Sequence, residues 1–261
     1  MNMKIAWLTD THLDSGDTDS VERIADQIRA QKPDALLLTG DIGVAETFSR
    51  WVLWLGDAAP SKPIYFVLGN HDLYEGWAAN ARLSAKSLTE GKPHARYLTA
   101  ETQPVILSPE VCLIGHDGWA DGRLGSYLSS HTKDAKKIYE FGHKSERERG
   151  ELAAKWADES AAHLRKMLAA LPEGCRRVIV ATHVPPFVGN HPTDNLWLAH
   201  MVSASAGEAL REFADANPAV TVEVCCGHTH RADVFAAAPN LTMYVGHPAL
   251  AAKSPIGVIK V

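Results

Sequence analysis

An α/β fold is predicted by three features of this 261-residue chain. Short aliphatic and β-branched runs recur at residues 3–8, 35–39, 64–68, 178–182 and 220–226, the composition of strands buried on both faces. Segments with helical spacing lie between several of them, which is the alternation that builds sheets with crossover helices. Polar residues of a narrow chemical kind, Asp, Asn and His, follow where those runs stop, and open α/β sheets bind ligands beyond the carboxyl ends of their strands.

The elements follow in order. After the first run, Asp19 is the expected N-cap of a helix, with Glu22 three residues on and Val21, Ile24, Ala25 and Ile28 forming its apolar stripe. Further helices are predicted over 45–55 and 76–88. Leu152, Trp156, Leu164, Met167, Leu168 and Leu171 mark a long helix that ends before Pro172 and Gly174, and another is predicted over 203–216. The tail reads as short strands at 233–236, 242–246 and 256–261, so the sheet structure is not purely parallel. Residues 118–150 break the pattern: Trp119-Ala120-Asp121-Gly122-Arg123 opens a Ser-rich and charge-rich run without periodicity. This is an inserted loop or partial helix, either a solvated excursion or a lid whose Arg123 or Tyr127 touches substrate.

Composition sets the outer bounds. Length suits one α/β domain spanning 1–261 with that insertion, and 46% hydrophobic with 22% charged residues is ordinary for a globular protein. A formal charge of -5 argues against an extended basic track for nucleic acid and leaves small phosphorylated molecules favoured as substrate. No window approaches the ~18 apolar residues of a membrane span, and the first nine residues are too short for a signal-peptide core, so the expected location is the cytoplasm with no membrane partner. Cys112, Cys175, Cys225 and Cys226 form no spaced framework and are expected as reduced, buried thiols.

The chemistry lies in Asp10-Thr11-His12, Gly40-Asp41, Gly69-Asn70-His71-Asp72, His183 and Gly227-His228-Thr229-His230. With 13 His in the chain, Asp-x-His is expected by chance roughly 0.8 times, whereas Gly-Asn-His-Asp is expected only about 0.0015 times. Residues two apart in an extended segment share a side, so Asp10 with His12, and His228 with His230, can each present two ligands inward. Carboxylates and an amide oxygen are hard ligands and imidazoles suit transition metals, so the set reads as a two-metal hydrolytic site.

In this order the five motifs resemble the calcineurin-like metallophosphoesterase superfamily, over 10–230 of the chain. The resemblance implies a four-layer α-β-β-α sandwich of two mixed β-sheets flanked by helices, and a metal-dependent phosphoric ester hydrolase, phosphatase or phosphodiesterase. It implies two divalent or trivalent metal ions, Mn, Fe, Zn, Mg, Co or Ni: Asp10, His12 and His230 hold one, Asn70, His183 and His228 the other, and Asp41 bridges both. It further implies attack on phosphorus by a hydroxide bridging the two metals, with His71 protonating or steadying the leaving oxygen and Asp72 orienting the His71 ring. Gly40-Asp41-Ile42-Gly43 lacks the Asp-Arg-Gly that follows in eukaryotic-type Ser/Thr protein phosphatases, which turns the expectation toward a small-molecule or nucleotide phosphomonoester or phosphodiester. A non-catalytic metal-binding scaffold and a nuclease are the alternatives. Arg123, His116 and His191 are the candidate substrate contacts, His116 because it follows an apolar run and His191 because it lies in the Pro-rich loop after His183.

Overall fold

The computed structural model describes residues 3–92, 94–125, 127, 132–190, 195–249 and 257–261. Eleven strands are present among them: β1 (Lys4–Leu8), β2 (Ala35–Thr39), β3 (Ile64–Val67), β4 (Ala95–Tyr97), β5 (Val105–Ser108), β6 (Val111–Gly115), β7 (Arg177–Ala181), β8 (Thr221–Cys226), β9 (Asp233–Ala238), β10 (Leu241–Val245) and β11 (Gly257–Lys260). The helices are α1 (Thr18–Gln31), α2 (Phe48–Asp57), α3 (Ala78–Gly91), α4 (Asp134–Lys137), α5 (Tyr139–Gly142), α6 (Glu146–Ala169), α7 (Asn195–Met201) and α8 (Ala204–Ala216).

The strands form two mixed sheets, ordered β11-β1-β2-β3-β4 and β5-β6-β7-β8-β10-β9. In the first, β1 to β4 run parallel and β11 returns antiparallel to β1. In the second, β6, β7, β8 and β10 are parallel, with antiparallel β5 and β9 at the edges. Strand periodicity divides the apolar residues between layers. On β2, Ala35 and Leu37 face the second sheet, while Leu36 and Leu38 pack with α1 and α2 residues such as Ile24, Ile28 and Val52. On β7, Ile179 and Ala181 face the first sheet, while Val178 and Val180 pack with Leu164 and Met167 of α6 and Leu210 of α8. Each central strand is buried on both faces, which is why the runs read as continuous rather than alternating. The result is the α-β-β-α sandwich expected, and a fully buried Leu or Ile side chain in it contributes about 1.5–3 kcal/mol.

Several boundaries differ from the sequence reading. Helix α1 is capped by Asp17, whose side chain accepts from the Ser20 amide at 2.7 Å, two residues before the expected Asp19 cap. Helix α6 begins well ahead of Leu152, because Ser145 and Glu148 form a reciprocal capping box. The described part of 118–150 is no solvated excursion: it contains α4, α5 and the first turn of α6, and Ile138 and Phe141 are buried in the core. A bridge joins Ile138 to Gly76. All four cysteines are free and buried. Trp197 is half exposed.

Candidate metal centre

The residues that follow β1, β2, β3, β7 and β8 meet at one edge of the sandwich. Their backbones are unusual. Asp10, His12, Asp41, His228 and His230 all have positive φ, between 40° and 69°, and they are five of eight described non-glycine residues in that region. Left-handed backbone at a residue with a Cβ is sparsely populated and clusters where surrounding structure enforces it, commonly at functional sites. The enforcement is visible: the Asp10 amide donates to the Gly40 carbonyl at 3.1 Å, His12 to Asp41 at 2.9 Å, and Gly227 to His183 at 2.9 Å. A Cβ at Gly69 would overlap the Asp41 carboxylate, and one at Gly227 would overlap Thr9 and Asp10, so the loops approach more closely than any side chain permits.

The side chains form two groups that share Asp41. In the first, one ligand atom from each of Asp10, His12, Asp41 and His230 lies within 4.8 Å of the others. Nε2 of His230 is 3.1 Å from Asp10 Oδ1 and 3.0 Å from His12 Nε2, which is 3.7 Å from Asp41 Oδ2. In the second, Asn70 Oδ1 lies 3.1 Å from His183 Nε2 and 3.0 Å from His228 Nδ1, and Asp41 Oδ1 lies 3.3 Å from the same His183 nitrogen. The other nitrogen of each ring is committed. His183 Nδ1 meets the Thr39 carbonyl at 2.9 Å and His228 Nε2 meets the His200 carbonyl at 2.7 Å, so each carries the proton there. That leaves the lone pair of neutral His228 aimed at an amide oxygen. Acceptor facing acceptor at hydrogen-bond distance is what a cation between them relieves, and the donor set therefore fits a metal pair.

Electrostatics point the same way. Burial pushes His228 and His12 below the ordinary imidazole value, so both are neutral near pH 7. Burial opposes ionisation of Asp41, but the His183 charge and hydrogen bond outweigh it and hold Asp41 well below the usual carboxylate range. Asp10 is likewise net lowered, burial being outweighed by its hydrogen bond to His230 and by His183. Burial lowers His183, yet the Asp41 carboxylate drives it up to about 10. A buried carboxylate thus keeps a proton on His183 when no metal takes its place.

His71 lies at the rim, with about a third of its side chain exposed and Nε2 3.9 Å from Asp41 Oδ2. Its ring stacks on Tyr74 at 4.2 Å between centroids. Asp72 does not orient that ring as expected. Its Oδ1 accepts from the Ile42 and Gly43 amides and its Oδ2 from Gly69, each at 2.8 Å, so it ties the Gly69 loop to the Gly40-Asp41 loop. Burial and the Asp41 charge push it up to about 7.

The expected substrate contacts fare differently. Arg123 pairs with Asp121 at 3.3 Å and Asp158 at 2.8 Å, beside a groove lined by Phe187 and Arg211 rather than at the metal-ligand cluster. His116 is buried, its Nδ1 accepting from the Gly118 amide at 3.1 Å, with its ring near His163; burial pushes it down to about 3. Neither joins the cluster, because Arg123 is drawn to two carboxylates and His116 turns into the core behind β6. His191 lies outside the described residues. Sequence reasoning missed Asp117, whose carboxylate accepts from the Leu68 amide and Tyr97 hydroxyl while its carbonyl accepts from the His183 amide. It also missed Asp134 and Tyr74, which contact Asn70.

Residues 3–232 match the family model described as calcineurin-like phosphoesterase. The chain belongs to that family. As a calcineurin-like phosphoesterase it is a metal-dependent phosphoric ester hydrolase, and the family implies a dinuclear metal centre. No curated protein matches the chain by sequence. Solved structures share its fold: a dimetal phosphatase from Danio rerio superposes with TM-score 0.62 at 13% identity, covering 98% of this chain and 91% of that one. The phosphopantetheinyl hydrolase of Mycobacterium tuberculosis gives 0.61 at 14%, covering 99% and 96%. GAP50, the anchor in the inner membrane complex of Plasmodium, gives 0.53 at 12%, covering 95% and 72%. Among the described residues no helix of the phosphoesterase is long and apolar enough to cross a membrane.

Proposed function

We propose that this phosphoesterase hydrolyses a phosphate monoester or diester of a small molecule or nucleotide at a two-metal centre. Asp10, His12 and His230 would hold one metal, Asn70, His183 and His228 the other, with Asp41 shared. The observation that carries the reading is the acceptor-to-acceptor contact of His228 Nδ1 and Asn70 Oδ1, each fixed in that orientation by hydrogen bonds on its far side. When bound, such a metal pair supplies an activated water and charge neutralisation at phosphorus.

The chain's own residues supply the rest. The substrate reaches the centre across the open face formed by His12, His71 and His230, whose rings are adjacent, with 4.5 and 5.0 Å between centroids. Asn70, His183 and His228 form the closed side. His71 is the residue at this face free to hydrogen-bond the leaving oxygen; burial holds it below the ordinary imidazole value, so it donates through its one N–H and passes a proton only as the departing oxygen gains charge. Tyr74 supports its ring from below. The fold alone is compatible with a scaffold, as GAP50 has it too, but a scaffold has no need of a complete donor set and His71 together. A nuclease would need a basic groove, against the charge of -5.

The test is hydrolysis of p-nitrophenyl phosphate and bis-p-nitrophenyl phosphate by metal-stripped protein restored with Mn²⁺. Turnover that depends on metal and vanishes in Asn70→Ala supports the reading, and the preferred ester assigns the substrate class. In His71→Ala the rate falls about 10²–10⁴-fold with both metals retained. Metal loss in that variant, or no turnover of any phosphoester by a chain holding two metals, would contradict it.

A further inference from the structure

We infer that Asp134, in the segment inserted between the two sheets' motif loops, is a positioning residue that aims the Asn70 carbonyl oxygen at the metal centre and steadies the support under His71. The inference rests on the ligand assignment proposed above.

A primary amide has two ends of similar shape and opposite hydrogen-bonding character, so nothing steric decides which one Asn70 turns to the site. Its Nδ2 donates to Asp134 Oδ1 at 2.9 Å and to the Tyr74 hydroxyl oxygen at 3.2 Å. A hydroxyl can donate or accept, and Tyr74 alone would accept either end of the amide. Asp134 removes that freedom. The Tyr74 hydroxyl donates its proton to the same Asp134 Oδ1 at 2.6 Å, which leaves only its lone pairs for Asn70. With a carboxylate and a proton-committed hydroxyl behind it, the amide can present only N–H groups to that side and only its oxygen to His183 and His228. The same phenol ring carries His71 at 4.2 Å, stacked with 27° between planes. One carboxylate therefore governs a residue on the metal side and, through Tyr74, one on the leaving-group side.

Asp134 can do this because its segment is clamped to the residues just after the Gly-Asn-His-Asp motif. The Glu75 amide donates to the Lys137 carbonyl at 2.8 Å, and Tyr139 to the Gly76 carbonyl at 3.0 Å. The Glu140 carboxylate accepts from the Ala78 and Ala79 amides, capping the start of α3 from outside the helix. Lys137 and Glu75 form an ion pair. Beneath these contacts Ile138 is fully buried. Helices α4 and α5 are thus a fixed buttress for the metal-centre loop.

The experiment titrates Mn²⁺ into metal-stripped wild type, Asp134→Ala, Asp134→Asn and Asn70→Ala by calorimetry, with bound metal counted by atomic absorption. Outer-shell partners of metal ligands typically affect affinity about 10–100-fold, and that is the weakening expected in Asp134→Ala for the metal that Asn70→Ala loses, with the other metal unchanged. Asp134→Asn keeps an oxygen that accepts from both Asn70 and Tyr74, so it restores most of that affinity. Wild-type affinity for both metals in Asp134→Ala would overturn the inference. So would an equal loss in Asp134→Asn, which would assign the effect to charge, or loss of both metals with a lowered melting temperature, which would assign it to folding. Two metals bound normally by Asn70→Ala would sink the ligand assignment itself, and the inference with it; loss of one metal there with both kept in Asp134→Ala would sink the inference alone.

Discussion

Gly40→Ala tests how tightly the metal-centre loops are packed. Gly40 has φ +88°, and a Cβ placed on it would lie 2.6 Å from the Gly69 amide nitrogen, 2.7 Å from His183 Nδ1 and 2.8 Å from Gly69 Cα. Two of those neighbours are backbone and cannot rotate away. The third is a ring held by its bond to the Thr39 carbonyl. Left-handed backbone costs an L-residue about 1–2 kcal/mol, and overpacking a rigid core adds about 1–3 kcal/mol, giving a loss of about 2–5 kcal/mol. At about 2–4 °C per kcal/mol, the melting temperature falls by on the order of 10 °C. Relief of the clash must move His183 or the Gly69-Asn70 backbone by several tenths of an ångström, and misplacement of about 1 Å costs on the order of 10²-fold in rate. Calorimetric unfolding and kcat/KM on the better nitrophenyl ester measure both effects. Gly91→Ala is the control, since a Cβ there meets nothing within 4 Å at the end of α3; it should leave the rate unchanged and the stability unchanged or raised by up to about 1 kcal/mol. Wild-type stability and rate in Gly40→Ala would refute the packing argument.

Three further outcomes follow from the same geometry. Asp72→Asn replaces one of two acceptor oxygens with a donor facing a backbone amide, so thermal unfolding should show a loss of about 1–3 kcal/mol; an unchanged melting point would mean the three amide bonds carry nothing. Because metal-free His183 holds its proton up to about 10, a metal taking Nε2 must displace it, so Mn²⁺ affinity should rise from pH 6 to pH 8 with proton release to buffer, and a pH-independent affinity would contradict this. Burial holds His116 neutral in the fold, its pKa pushed down to about 3 from the ordinary imidazole value of 6.5, so the unfolded chain takes up the proton first and stability is lost as pH falls below 6.5. Removing the group in His116→Gln should flatten the acid slope by up to about 1.4 kcal/mol per pH unit, and parallel slopes would rule His116 out as its source.

The cluster of Asp, Asn and His at the candidate metal centre was legible in the sequence because those residues sit where chemistry and strand position coincide. Asp10, Asp41, Asn70, His183 and His228 each follow a buried strand by two or three residues, and strand order then brings β1, β2 and β3 of one sheet opposite β7 and β8 of the other. Apolar runs are equally legible: they placed β1, β2, β3, β7 and β8 to within a residue, while the buried β6 (Val111–Gly115) was not singled out. What failed was whatever depends on the direction of a side chain rather than its identity. Asp72 follows His71 in the chain, yet the 3-10 turn at His71–Leu73 sends the two side chains to opposite sides, one to the rim and one to buried amides. Arg123 offers a phosphate-binding group, but two nearby carboxylates already hold it. Asp134 had no signal at all: it lies in a charge-rich stretch without periodicity, 64 residues from Asn70, and only the docking of α4 against residues 75–76 makes it relevant. The cap of α1 was misplaced because Asp17 and Asp19 are equally good on residue type, and helix geometry chose the first.

Anomalous diffraction from crystals of the Mn²⁺-loaded chain tests the central claim most directly. Two anomalous peaks per chain, about 3.5–4 Å apart, are predicted, one on each side of the Asp41 carboxylate, the first among Asp10, His12 and His230 and the second among Asn70, His183 and His228. A single peak, or a second peak that leaves Asn70 and His228 unligated, would contradict the two-metal account.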